Sequence, residues 1–174
     1  MRAVHPIFCW LLLLPQPLAA ALPVGTQAPD FKTVGALKGK VYKLHLREQL
    51  KHGPLVLYFF PQAFTAGCTL EAKAFADTMP QFRKAGAQVV GLSSDNLDTL
   101  KKFSTEACRS KFPVATATPT TIRAYDVVLK QKPEMTDRTS YVIDRSGKIV
   151  FVHSDPDWSQ HVSKTLAAVK GLKR

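Results

Sequence analysis

The sequence is poor in cysteine, tryptophan and acidic residues, and these shortages restrict the classes of protein to which it can belong. Three cysteines and two tryptophans in 174 residues exclude a disulfide-rich scaffold. Only 13 acidic residues face 24 basic ones, so the formal charge is +11. The basic residues are scattered without interleaved aromatics, so nucleic-acid binding is not predicted. The histidines lack metal-ligand spacing and no glycine-rich phosphate loop occurs, so no metal or cofactor is predicted.

The longest apolar run lies at the N-terminus, at residues 6–14, behind Arg2 and ahead of small residues at 19–21. This order is typical of a secretory signal peptide. The run is short for a membrane span, although an uncleaved anchor is the alternative. We therefore predict a cleaved signal peptide at 1–21 and a single domain at 22–174 without a membrane association. The predicted location is outside the cytoplasm, in the periplasm first, with secretion or an organelle lumen as alternatives.

The most informative segment joins a strand to a helix at Cys68. Residues 54–60 form a continuous apolar run of strand length, and Pro61, which has no N–H for a ladder, ends it. Residues 69–79 are rich in helix formers, so Cys68 should lie in the first turn of a helix. Unpaired N–H groups and the helix dipole favour an anion there, which stabilises the nucleophilic thiolate. Thr65 can place a hydroxyl beside the sulfur.

The motif Pro-x-x-x-Thr-x-x-Cys at Pro61, Thr65 and Cys68 resembles the hallmark of the peroxiredoxins. The surrounding run is most similar to their bacterioferritin comigratory protein, or peroxiredoxin Q, branch. The family also uses an arginine near the start of a later strand, and Arg138 matches that place. The resemblance spans about residues 23–172. It implies a thioredoxin fold and thiol-dependent reduction of hydrogen peroxide or organic hydroperoxides.

The resemblance also implies a role for each motif residue. The Cys68 thiolate would attack a peroxide oxygen and become a sulfenic acid. Arg138 would stabilise the thiolate and the charge that develops as the O–O bond breaks. Thr65 and nearby backbone N–H groups would orient the peroxide, and Pro61 would shield the site from water. The alternatives are an inert buried thiol at Cys68 and a surface charge at Arg138.

A second thiol could resolve the oxidised one, but this chain departs from the branch here. Many members carry a resolving cysteine five residues after the first, where this sequence has Lys73. Some keep it on a later helix, and Cys108 lies on the helix predicted at 96–110. A disulfide needs Cα atoms within about 7 Å, so the Cys68 turn would have to unwind. A core role for Cys108 and a structural Cys68–Cys108 bridge remain alternatives; signal cleavage would leave this even pair.

The order of predicted elements is that of an α/β protein in which helices flank a mixed central sheet, and the resemblance implies that this fold is thioredoxin-like. The predicted strands are 41–46, 54–60, 88–93, 113–116, 139–144 and 149–153, and the predicted helices are 68–84, 96–110, 120–125 and 157–172. The last two strands are predicted to form a hairpin.

The predicted partners are a peroxide and a thioredoxin-like or other thiol reductant, and the chain is predicted to be a monomer, as members of this branch often are. Two rival functions stay open. A thioredoxin-like disulfide reductase usually needs Cys-x-x-Cys, whose first position here is Thr65. A non-catalytic protein on the same fold would leave Cys68 unreactive to peroxide.

Overall fold

A computed structural model describes residues 21–172 of the chain. The predicted signal peptide falls, apart from Ala21, outside the described residues. The strands are β1 (Lys32–Leu37), β2 (Lys40–His45), β3 (Leu55–Phe59), β4 (Gln88–Ser93), β5 (Val114–Thr116), β6 (Thr139–Ile143) and β7 (Ile149–Ser154). The helices are α1 (Leu46–Leu50), α2 (Ala66–Lys84), α3 (Leu97–Glu106), α4 (Pro119–Ala124) and α5 (His161–Gly171), and a 3-10 helix, Trp158–Gln160, precedes α5. No helix within residues 21–172 is long and apolar enough to cross a membrane.

The strands form one mixed sheet in the order β2-β1-β5-β4-β3-β6-β7. Strand β3 lies inside it, parallel to β4 and antiparallel to β6. All five residues of β3 are buried, which explains why its sequence is continuously apolar. The predicted mixed sheet flanked by helices is confirmed, as is the hairpin of β6 and β7.

Alternation along β3 divides the core into two layers, because successive strand side chains point to opposite faces. Val56 and Tyr58 enter a cluster with α2, α3 and α5, whereas Leu55 and Leu57 enter a cluster with α1 and α4. Cys68 and Cys108 both belong to the first cluster. The two thiols therefore lie on the same face of the sheet.

Several predicted boundaries were wrong. Strand β1 was missed because it contains Gly35, a residue with low strand propensity. Gly35 pairs with Ala115 of β5, and a Cβ on it would lie 2.1 Å from the carbonyl oxygen of Val114. Helix α1 was also missed, and its first residue, Leu46, had been predicted to end a strand.

The helix predicted at 96–110 in fact ends at Glu106. Arg109 and Ser110 adopt left-handed backbone conformations, with φ of 49° and 58°, which no α-helix accepts. Cys108 consequently lies in the turn after α3 and not on the helix.

Candidate active site

Cys68 occupies the place that the sequence predicts for it. Helix α2 begins at Ala66, with Thr65 as its N-cap in an extended conformation, so Cys68 is the third helical residue. The thiol therefore belongs to the first turn of a 19-residue helix, whose N–H groups have no partner within the helix. Cys68 is only 2% exposed.

The loop between β3 and α2 is held in place by hydrogen bonds from its neighbours. The Thr136 hydroxyl donates to the Phe60 carbonyl at 2.7 Å, where the strand ends. The backbone N–H of Ala63 donates to Asp95 Oδ2 at 2.7 Å. Pro61, half-buried, lies between these two anchors. The loop thus enters α2 along a defined path.

Thr65 and Phe64 form the outer edge of the loop, and both are exposed. The Thr65 hydroxyl donates to the Gln62 carbonyl at 3.1 Å. Phe64 has a φ of 66°, which is strained for a bulky residue, and its ring meets Phe103 edge-on at 5.2 Å. Strained backbone of this kind is concentrated at functional sites.

Arg138 reaches the sulfur from the residue just before β6. Its Nη2 donates to Cys68 Sγ at 3.4 Å, across 70 positions of sequence. Its Nε donates to the Pro156 carbonyl at 3.0 Å, and its Nη1 donates to Glu71 Oε2. The guanidinium is therefore fixed on three sides, in the geometry that its planar fork allows.

The charge on Arg138 is shared between two groups. Burial by itself would lower the pKa of Arg138, but the nearby Glu71 and Cys68 raise it overall. Glu71 is fully buried, and burial raises its pKa to about 8 although Arg138 acts in the opposite direction. An ion pair would favour an ionised Glu71. Burial outweighs the ion pair, because Glu71 Oε1 has no hydrogen-bond partner among residues 21–172.

His161 forms a further layer behind Glu71. It is the first residue of α5 and is fully buried. Its Nδ1 lies 2.8 Å from Ser140 Oγ and 3.8 Å from Glu71 Oε1. Its Nε2 lies 3.0 Å from the Asp155 carbonyl oxygen. Burial lowers the pKa of His161 to about 4, so its ring is neutral near pH 7.

Sequence reasoning missed Glu71, Ser140 and His161. Glu71 had one usable signal, because a residue three positions after Cys68 lies on the same face of α2. Ser140 and His161 had none, since only the folded sheet brings β6 and the start of α5 to this helix.

Gly67 allows the guanidinium and an aromatic ring to approach the first turn of α2. A Cβ at this position would lie 3.3 Å from Arg138 Nη2 and 3.5 Å from Trp158 Cδ1. Trp158 and Arg138 therefore both pack against the first turn of α2 at Gly67. It is the only tryptophan among residues 21–172, so its fluorescence reports on this site.

Cys108 is fully buried, and burial raises the pKa of its thiol. Both Cys68 and Cys108 are free thiols in this structure. Tyr58 lies near both: burial raises the pKa of its hydroxyl strongly, and charges on Cys108, Glu71 and Cys68 act in the same direction. No group of three or more His, Cys, Asp or Glu within residues 21–172 could hold a metal ion.

A buried thiol at a helix start with an arginine on its sulfur defines a thiol-based redox site on a thioredoxin-like sheet. The model of the AhpC/TSA family matches residues 24–152. A chloroplastic peroxiredoxin Q from Populus jackii is 32% identical over 148 residues, which cover 84% of this chain and 68% of the relative. The chain belongs to the AhpC/TSA family and is a thiol-dependent peroxidase of the peroxiredoxin class.

Solved structures agree with this assignment. The crystal structure of peroxidoxin BcpB from Mycobacterium tuberculosis has a TM-score of 0.76 and 31% identity, and covers 87% of this chain and 98% of its own. AhpC from the same organism has a TM-score of 0.74 at 20% identity, covers 86% of this chain and 92% of its own, and shows the shared fold alone. The family assignment favours a peroxidase over the disulfide reductase and the non-catalytic protein.

Proposed function

We propose that this peroxidase reduces hydrogen peroxide or organic hydroperoxides through a sulfenic acid on Cys68. The observation that carries the proposal is the 3.4 Å contact between Arg138 Nη2 and Cys68 Sγ in the first turn of α2. A helix start and a guanidinium both stabilise a thiolate, and the same two groups stabilise an oxyanion that develops beside it.

In the reaction, the Cys68 thiolate attacks the distal oxygen of the peroxide as the O–O bond breaks. The sulfur is oxidised by two electrons to a sulfenic acid, and the leaving oxygen takes a proton to become water or an alcohol. Arg138 stabilises the charge on both oxygens. Thr65, at the N-cap of α2, and the first-turn N–H groups orient the peroxide, and Pro61 limits access of water.

We assign the resolving thiol to Cys108. Its thiolate would attack the sulfur of the Cys68 sulfenic acid and form the S–S bond as the S–O bond breaks. The leaving hydroxyl would take a proton from solvent and depart as water. Three observations support this step: both thiols lie in one core cluster, both lie near Tyr58, and Cys108 is followed by the left-handed residues Arg109 and Ser110. Left-handed residues store strain, which lowers the cost of opening the turn locally.

The electron donor in this proposal is a thioredoxin-like or other thiol reductant that reduces the disulfide after local opening. The protein is proposed to act as a monomer. Export is proposed from residues 1–21 alone, with the periplasm as the first compartment to test.

The test is a rapid oxidation of reduced protein lacking residues 1–21. One equivalent of hydrogen peroxide is added, the reaction is quenched with an alkylating agent, and the intact mass is read without reductant. We expect loss of both thiols as a Cys68–Cys108 disulfide. Sulfinic acid on Cys68 with Cys108 still alkylated would refute the resolving role, and two unreacted thiols after seconds would refute the peroxidatic role.

Two variants separate the thiols. Cys68→Ser is expected to abolish peroxide consumption, because no nucleophile remains at the helix start. Cys108→Ser is expected to keep the first oxidation and stop at the sulfenic acid or a mixed disulfide. Cys108→Ala should give the same result, which excludes an effect of the buried serine hydroxyl. Full turnover in Cys68→Ser would refute the mechanism.

A further inference from the structure

Residues 107–111, which we call the Cys108 turn, join α3 to β5 between two buried aromatic rings. Phe103, on α3, is fully buried, and Phe112, directly after the turn, is 1% exposed. The Phe112 ring meets the ring of Tyr58 on β3 at 6.0 Å. Both ends of the turn are thus anchored in the core, so the turn can open without separating the strands.

The backbone of the turn is strained. Arg109 and Ser110 have φ values of 49° and 58°, a left-handed conformation that is unfavourable for residues with a Cβ. The Ser110 N–H donates to the Ser104 carbonyl oxygen at 2.9 Å, which keeps the turn in this shape. Because opening would release the strain, contacts with the rest of the molecule must keep the turn closed.

Two arginines tie the turn to α2, the helix that carries Cys68. Arg109 in the turn forms an ion pair with Asp77 on α2, through Nη1 and Oδ1. In the opposite direction, Nη2 of Arg83 on α2 donates to the Lys111 carbonyl oxygen at 2.9 Å. The turn that holds one thiol is therefore fastened from outside to the helix that holds the other.

We propose that the Asp77–Arg109 ion pair is a clasp that keeps the Cys108 turn closed, and that its release sets the rate at which Cys108 reaches the oxidised Cys68. The proposal rests on the resolving role assigned to Cys108. The two side chains of the clasp are 62% and 49% exposed, whereas Cys68 is 2% exposed and its sulfur is held by Arg138. An exposed ion pair contributes little to stability, so the clasp can release while the catalytic helix stays folded.

Release of the clasp decides between two fates of the sulfenic acid. If Cys108 arrives first, its thiolate forms the S–S bond as the S–O bond breaks, and the leaving hydroxyl takes a proton from solvent. If a second peroxide arrives first, the sulfur of Cys68 attacks its distal oxygen, the O–O bond breaks, and a sulfinic acid forms with release of water or an alcohol. A tighter clasp therefore favours the sulfinic acid, and a looser one favours the disulfide.

Alkylation of Cys108 measures the opening directly and needs no peroxide. In a Cys68→Ser background, reduced protein lacking residues 1–21 is treated with iodoacetamide, and the intact mass is followed over time. Asp77→Asn and Arg109→Gln should each react about two- to fivefold faster, which is the effect of one exposed ion pair on an opening equilibrium. The double variant should react no faster than either single one, because the two side chains act as a unit.

Salt distinguishes the ion pair from a change in packing. Raising sodium chloride from about 0.02 M to about 0.5 M should speed alkylation in the Cys68→Ser protein, because screening weakens the pair, and should have little effect once Asp77→Asn is added. Asp98→Asn is the matched control: Asp98 pairs with Lys101 on α3 and is 88% exposed, so its loss should leave the rate unchanged. Unfolding by urea checks that alkylation does not proceed through global unfolding.

The same clasp variants with both cysteines present connect the opening to catalysis. Under rapid quench, Asp77→Asn and Arg109→Gln should form the Cys68–Cys108 disulfide about two- to fivefold faster, with an unchanged first oxidation of Cys68. In excess peroxide they should accumulate less sulfinic acid than the wild type.

The outcomes separate the clasp from the resolving role. Equal alkylation rates in the wild-type turn and the clasp variants would overturn the clasp, as would effects of the two single changes that simply add. Faster alkylation without faster disulfide formation would overturn its control of resolution. If no protein forms the disulfide but alkylation still depends on the ion pair and on salt, the resolving role fails and the clasp stands.

Discussion

Replacement of Arg138 by methionine tests the contact on which the proposed mechanism depends. A full charge pair at the observed 3.4 Å, in an effective dielectric constant of about 20, is worth about 5 kcal/mol. Only the part of this attraction that increases between the thiolate ground state and the transition state affects the rate. Removal of a single such donor from an enzyme typically costs about 10²–10³-fold, or about 2.7–4 kcal/mol. We therefore expect Arg138→Met to oxidise at least about 100-fold more slowly.

The variant should still fold, because Glu71 can remain neutral without its partner. Breaking a buried ion pair usually costs about 3–5 kcal/mol, since one charge stays buried and unpaired. Burial already raises the pKa of Glu71 to about 8, and loss of the cation raises it further. At pH 7 the carboxyl is then a neutral acid, and most of that penalty is avoided.

The assay is the second-order rate of Cys68 oxidation by hydrogen peroxide, measured by rapid quench and intact mass, with unfolding by urea as a check on stability. Arg47→Met is the matched control, because Arg47 is 75% exposed and pairs with Asp30 at the surface. The oxidation rate of Arg138→Lys should fall between those of the wild type and Arg138→Met, because an ammonium group supplies the positive charge without the planar set of donors of a guanidinium. A folded Arg138→Met protein that oxidises within about threefold of the wild-type rate would refute the role of the guanidinium.

Three further predictions follow from single contacts. Gly67→Ala places a Cβ 3.3 Å from Arg138 Nη2 and 3.5 Å from Trp158. The variant should therefore oxidise Cys68 about tenfold more slowly and show a shifted tryptophan fluorescence. An unchanged rate together with an unchanged fluorescence would contradict this packing. Gly91→Ala places a Cβ 2.7 Å from the Tyr58 ring and should lower the free energy of unfolding by about 1–3 kcal/mol in urea, whereas Gly171→Ala, with nothing within 4 Å, should leave it within about 0.5 kcal/mol. Burial raises the pKa of Asp137 from 3.8 to about 6, so the folded state binds its proton more tightly, and this group lowers stability as pH rises from about 4 to 6. Asp137→Asn should therefore lose about 1–2 kcal/mol less free energy of unfolding over this pH range than the wild type, a figure that already allows for the partial exposure of Asp137. If the two proteins show the same dependence of stability on pH between pH 4 and 7, the raised pKa of Asp137 is excluded.

The parts of the fold that were predicted correctly are those with a strong local signal. Strand β3 was evident from its unbroken apolar run, and helix α2 from the proline and helix formers on either side of Cys68. The end of α3 was not predicted, because Phe103 and Ala107 continue the apolar pattern to the point where Arg109 takes a left-handed conformation. Strand β1 was missed because glycine has a low strand propensity, and Gly35 is required there by the close approach of β5, which the sequence does not reveal.

The candidate site was predictable only in part. The motif singled out Pro61, Thr65 and Cys68, which are close in sequence, and the resemblance added Arg138. The Cys68–Arg138 contact itself spans 70 positions, and its geometry required the structure. Glu71 and His161 escaped notice because an acidic residue on a helix and a lone histidine are usually at the surface, and here both are fully buried.

The sequence by itself determined that Cys68 lies at the start of a helix, because that depends on neighbours within a few residues, and its resemblance to the peroxiredoxins indicated the class of chemistry. The tertiary structure alone decided how the charge at the site is distributed. It placed Arg138 between Cys68 and Glu71, and His161 behind Glu71. The physical reason is that burial and long-range contacts set the protonation of Glu71 and His161, and neither can be read from a local pattern.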